Sequence, residues 1–169
     1  VTLAWRQDLF RQGLNPLYVN VYGAYGVTLE AHFRPELISL LDRGFVAVIA
    51  HVRGSQARGR AWHESGKGLN KRNTFSDLID ARAGLLGLGY GHARRVFVRG
   101  GSAGGLVAGY LANEAPGDVA GIIARRPFVD LLTTLEDEAL PLSGSERAEW
   151  GDPDNLTSFE FLKQISPYD

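Results

Sequence analysis

The sequence predicts an α/β fold, a mostly parallel sheet flanked by helices. Three observations predict it. Continuous apolar runs such as Phe45-Val46-Ala47-Val48-Ile49-Ala50 imply strands buried on both faces, as parallel sheets require. Segments with helical spacing of apolar residues alternate with those runs. A further apolar run, Val96-Phe97-Val98, ends in glycines around one serine, Gly100-Gly101-Ser102-Ala103-Gly104-Gly105, with a small-residue helix behind it.

In chain order, Val1–Trp5 reads as a short edge strand and Leu17–Tyr22 as a second strand, followed by the turn-rich Gly23-Ala24-Tyr25-Gly26. Pro35–Leu41 reads as a helix, with proline in its first turn and a stop at Asp42-Arg43-Gly44. Phe45–Ala50 is a buried strand. A long polar loop is expected from His51 to about Asn73, holding the basic residues Arg58, Arg60, Lys67, Lys71 and Arg72, which read as a solvated loop. Thr74 or Ser76 then caps a helix over Asp77–Leu88, ended by Gly89-Tyr90-Gly91. Strand Val96–Val98 and helix Ala103–Asn113 follow. Gly121–Ala124 reads as another buried strand, interrupted at Pro127, and helices are expected around Leu131–Glu138, Glu146–Trp150 and Asn155–Ile165.

With 169 residues, 44% hydrophobic and 22% charged, the chain has room for one domain with a sizeable core. A net charge of −1 implies no attraction to nucleic acid or to an anionic membrane. The absence of cysteine excludes disulfides and thiolate chemistry; it is neutral about compartment but fits a reducing cytoplasmic setting, the one expected, at least as well as a secreted one. No apolar run approaches the roughly 20 residues of a membrane-spanning helix. No signal peptide is visible, and the lack of methionine even at position 1 points to a segment or an edited chain rather than an untouched translation product. No His/Cys/Asp spacing suggests a metal site, and no cofactor is expected. The acidic cluster Glu136, Asp137, Glu138 reads as a solvated helix face.

Glycines at both second neighbours of Ser102, between a strand and a helix, have the layout of a nucleophile elbow. A serine on such a turn lifts its hydroxyl above the sheet, and side chains at the flanking positions would collide with neighbouring elements. The rival reading, a dinucleotide-binding turn, needs glycine where Ser102 stands. The N–H of Ala103, opening the helix, is a candidate donor to an oxyanion. All four histidines (His32, His51, His63, His92) precede Ser102. His51 and His92 are the two considered as stand-in bases, and His51 reads better as a packed or hydrogen-bonded strand-end residue. Asp130, after the Gly121–Ala124 strand, is a candidate acid.

Several stretches together resemble the catalytic domain of the prolyl oligopeptidase family, its oligopeptidase B branch in particular. They include Val21-Tyr22-Gly23-Ala24-Tyr25-Gly26, Leu40-Leu41-Asp42-Arg43-Gly44-Phe45, Ala50-His51-Val52-Arg53-Gly54, Lys71-Arg72-Asn73-Thr74-Phe75, Gly100 to Gly105, Pro127-Phe128-Val129-Asp130, Glu149-Trp150-Gly151-Asp152-Pro153 and Ser166-Pro167-Tyr168-Asp169. The resemblance implies an α/β-hydrolase fold, here partial and lacking the C-terminal strands, with a β-propeller elsewhere in the protein gating the site. It implies hydrolysis of short peptides, in this branch after arginine or lysine. By position Ser102 resembles the nucleophile, Tyr22 the second oxyanion donor beside the Ala103 N–H, Tyr25 an aromatic of the substrate pocket, and Glu146 one of two acids tied to basic-residue preference. From residue type alone Tyr22 reads as a packing aromatic and Glu146 as a surface glutamate.

The chain departs from the family's pattern at named positions. The second acidic position is Ala148, and Arg126 stands where the family carries an apolar residue, adjacent to Arg125. The resemblance places the triad aspartate and histidine beyond Asp169. The expected partners are therefore a short peptide, the C-terminal segment and propeller of the parent protein, and a second copy meeting an exposed sheet edge. An isolated chain of this length is expected to be catalytically incomplete. An esterase or acylaminoacyl peptidase of the same fold, or a non-catalytic binding module, remain open at this level.

Overall fold

The structure, a computed structural model, describes residues 1–137, 139–140 and 143–169, and the side chains of all of these but 143–145. Five strands form one mixed sheet: β1 (Thr2–Ala4), β2 (Leu17–Val21), β3 (Val46–Ala50), β4 (Val96–Ser102) and β5 (Gly121–Pro127). Their spatial order is β1-β3-β2-β4-β5. β1 runs antiparallel to β3, and the other three pairings are parallel. Between and after them run α1 (Pro35–Leu41), α2 (Arg60–Glu64), α3 (Arg72–Gly87), α4 (Ala103–Glu114), α5 (Leu131–Glu136), α6 (Ser143–Trp150) and α7 (Leu156–Ile165).

The register explains the core. Val19 of β2 sits beside Val48 of β3 and Val98 of β4, and Leu17 beside Val46 and Val96. Successive side chains alternate between faces, so these apolar residues share one face. They form a single buried cluster with Phe75, Leu78 and Leu85 of α3 and Leu106, Val107 and Leu111 of α4. On the opposite face Tyr18, Asn20, Ala47, Ile49 and Arg99 line a cavity of about 260 Å³ beneath Leu37 of α1. No described helix is long and apolar enough to cross a membrane.

Four expectations need correction. The loop after β3 is not continuous: it contains α2 and a single 3₁₀ turn, Gly68–Asn70. α3 starts at Arg72, five residues before Asp77, and neither Thr74 nor Ser76 caps it. The Thr74 hydroxyl instead donates to the carbonyls of Arg53 (2.9 Å) and Gly66 (3.2 Å), pinning that loop to the helix. Lys71, expected in solvent, is fully buried. β5 extends to Pro127 and is largely exposed rather than buried, because among the described residues no strand pairs with its outer edge.

Candidate active site

β4 ends at Ser102 and α4 begins at Ala103, so the strand enters the helix without an intervening loop. Ser102 makes the bend with φ 51° and ψ −124°. A non-glycine residue there stores on the order of 1–3 kcal/mol, a feature that clusters at reactive sites. Two flanking glycines make the bend possible. A Cβ on Gly100 would run into the carbonyl oxygen of Gly104, and one on Gly104 would run into that of Val21 and stand 3.0 Å from the Cα of Tyr22. Ser102 is exposed and opens on a cleft of about 300 Å³ lined also by Asn20, Tyr22, Leu29 and three arginines, Arg99, Arg125 and Arg126.

The same close approach sets Tyr22, the residue after β2, beside the bend. Its half-buried phenol lines the same cleft as Ser102 and lies close enough for the serine side chain to act on it. Burial raises the phenol's pKa, and the Ser102 contact offsets only part of that. At neutral pH Tyr22 therefore carries its proton and can donate it. The Ala103 N–H opens α4, where the first-turn N–H groups have no intrahelical acceptor, and no side chain caps this end. The Ser102 turn thus holds two groups able to donate a hydrogen bond, the Ala103 N–H next to it in the chain and the Tyr22 hydroxyl in the same cleft.

Tyr25 and Glu146 are also brought together. The Tyr25 hydroxyl donates to Glu146 Oε2, and the Trp150 indole N–H donates to the same oxygen at 2.7 Å. Tyr25 has φ 56°, and its N–H donates to Glu149 Oε1 at 2.8 Å. Burial first, then the hydrogen bond to Glu146, push the Tyr25 phenol above its ordinary pKa. Glu146 is therefore part of a network rather than a free surface carboxylate.

Beneath these residues lies a set that the sequence analysis did not single out. His63 Nε2 of α2 is 2.8 Å from Glu149 Oε2, with Glu149 almost wholly buried. Lys71 donates to the Gly23 carbonyl at 2.5 Å and lies 4.6 Å from the centroid of the Trp150 ring. Burial lowers the Lys71 pKa to about 8, with Glu149 pulling the other way. The only sequence signal was the coincidence of a basic and an acidic motif, Lys71-Arg72-Asn73 and Glu149-Trp150-Gly151, far apart in the chain.

None of the four histidines lines the Ser102 cleft. His51 follows β3, which β2 separates from β4; its Nε2 shares a 2.8 Å hydrogen bond with Thr2 Oγ1, and burial lowers its pKa. His92 sits in the turn before β4, at the opposite end of that strand. Asp130 caps α5, accepting from the Thr133 N–H at 3.1 Å. Of the acidic cluster, Asp137 accepts from the Ala139 N–H at 3.0 Å, and Glu138 lies outside the described residues.

Comparison with known proteins agrees with this geometry. The profile of the prolyl oligopeptidase family matches residues 31–169. Across all of its 169 residues the chain is 44% identical to a dipeptidyl aminopeptidase BI of Pseudoxanthomonas mexicana, covering 23% of that protein. It is 41% identical to a protease 2 of Moraxella lacunata, covering 24% of it. Oligopeptidase B from Trypanosoma brucei, solved with covalently bound antipain in a closed form, superposes with a TM-score of 0.93 at 37% identity, over 98% of this chain and 23% of that one. The chain thus spans about a quarter of the length of the curated relatives it matches.

Proposed function

Because the chain belongs to the prolyl oligopeptidase family, we propose that it carries the nucleophile and oxyanion site of a serine peptidase acting on short peptides. A base takes the Ser102 Oγ proton as that oxygen attacks the scissile carbonyl carbon, the carbonyl oxygen becomes an oxyanion, the C–N bond breaks as the departing amine takes that proton, and water then hydrolyses the acyl-enzyme to restore the serine hydroxyl. The oxyanion accepts hydrogen bonds from the Ala103 N–H and the Tyr22 hydroxyl, fixed donors that need no reorganisation as charge develops. A serine hydroxyl also needs a base. No histidine of this chain lines the cleft, so we assign that role to a histidine elsewhere in the protein, as the family resemblance implies. β5, with its outer edge free among the described residues, is where the remainder of the protein, or a second copy, would pair.

The observation that carries this reading is the strained Ser102, joined directly to α4 and sharing its cleft with Tyr22. Its test is a fluorophosphonate probe applied to the complete gene product. Stoichiometric labelling that vanishes in Ser102→Ala supports the reading; labelling that persists in that variant, or none in the parent, overturns it.

The finer expectation is cleavage after arginine or lysine. In its favour, Glu146 stands beside Tyr25 near the site. Against it, one oxygen of Glu146 already accepts two hydrogen bonds, Ala148 supplies no second carboxylate, and three arginines line the cleft.

A further inference from the structure

Arg99, Arg125 and Arg126 line the cleft that holds Ser102, and among the described residues no aspartate or glutamate lines it with them. Among the described residues none of the three takes part in an ion pair. Arg99 is oriented from below, donating to Oδ1 of the buried Asn20 at 3.1 Å. Arg126 is aimed by the backbone. β4 and β5 pair Gly101 with Arg125 but Ser102 with Pro127, so Arg126 is an inserted, bulged residue. It has φ 45°, and the Phe128 N–H closes the bulge by donating to the Ser102 carbonyl at 2.9 Å. Bulges beside active sites re-aim a side chain, and this one lies at the nucleophile.

Three arginines lining one cleft repel one another, and the arrangement gains from a bound anion. Planar guanidinium groups match a carboxylate, two N–H donors to two oxygens. Resting on the peptidase reading above, we infer that this cleft selects peptides carrying a carboxylate within one residue of the scissile bond, rather than a basic side chain. Arg126 is the chief specificity-determining residue and Arg99 and Arg125 support it. The carboxylate comes from a glutamate or aspartate side chain or from the peptide's own C-terminus, which present the same group to the arginines.

The test uses the complete gene product and two quenched-fluorescence peptide sets. One varies the residue before the scissile bond among Glu, Gln and Arg. The other keeps Gln there and ends one residue after the bond, as free acid or amide. The carboxylate-bearing member of one set is expected to have a kcat/KM about 10- to 100-fold above its neutral counterpart, the range for a charge-assisted hydrogen bond. Which set shows the effect identifies the source. The ratio is expected to fall toward one in Arg126→Gln, to fall less in Arg126→Lys, and in Arg126→Glu to turn toward the Arg peptide. Arg125→Gln provides a second, milder loss should Arg126 variants fold poorly. Equal or better cleavage of the Gln and Arg peptides with no preference for the free acid, or ratios untouched by both Gln variants, would overturn the inference. Fluorophosphonate labelling is run in parallel: labelling without a carboxylate preference sinks this inference alone, and no labelling sinks the peptidase reading along with it.

Discussion

Ser102 and Arg126 meet at the one break in register between β4 and β5, and both have left-handed backbone angles, φ 51° and φ 45°. One strained residue supplies the hydroxyl and the other a charge facing the same cleft. The reactive group and its electrostatic surroundings are thereby set by neighbouring backbone irregularities rather than by a mobile loop.

Ser102 gives up stability for its position. In Ser102→Gly the strain is relieved, partly offset by the greater chain entropy of glycine in the unfolded state. The expected net gain is about 1 kcal/mol over Ser102→Ala, read by chemical denaturation, with labelling abolished in both. Equal stability of the two variants would mean the bend is not strained.

Tyr22→Phe removes one oxyanion donor and keeps the ring that packs against the core. A fall in kcat of about 100- to 1,000-fold with little change in KM is expected from steady-state kinetics on the complete protein. A change confined to KM would place Tyr22 in substrate binding instead.

Lys71 gives a pH signature. Its pKa is lowered to about 8 in the folded protein from an ordinary 10.5. Between those values the unfolded chain binds the extra proton, so this residue's contribution to stability rises with pH through that window. Below about pH 8 the buried charge carries its full desolvation cost. Denaturation from pH 7 to 10.5 should show wild type gaining on Lys71→Met by on the order of 3 kcal/mol; parallel curves would rule out the titration.

Glu149 holds Tyr25 through its N–H and His63 through its ring. Glu149→Ala leaves that N–H and the imidazole without their shared acceptor and removes the charge that favours the buried Lys71 ammonium. A loss of about 3–5 kcal/mol is expected, seen as a lower denaturation midpoint. A loss under 1 kcal/mol would show that water replaces the carboxylate at little cost.

The elements set by local rules were readable in the amino-acid string. Val46–Ala50 and Val96–Val98 announce buried strands by continuous apolarity, and Pro35–Leu41 is a helix over the very span its proline and apolar residues indicate. The bend at Ser102 was readable because each glycine requirement acts over a few residues. What depends on distant partners was not. Lys71 looked solvated because its burial is decided by Gly23 and Trp150. The link between His63 and Glu149 joins residues 86 positions apart. Thr74 has the residue type of a helix cap, yet its hydroxyl serves the loop carbonyls at Arg53 and Gly66. The bulge at Arg126 has no composition signature, since any residue can be the inserted one.

The direct passage from β4 into α4 leaves Ser102 with side-chain rotation as its sole freedom. Its aim is inherited from β4, a strand paired on one side with β2 and on the other with β5. Heating is therefore expected to silence the hydroxyl only when the sheet itself melts, so that loss of probe reactivity and loss of structure follow one curve.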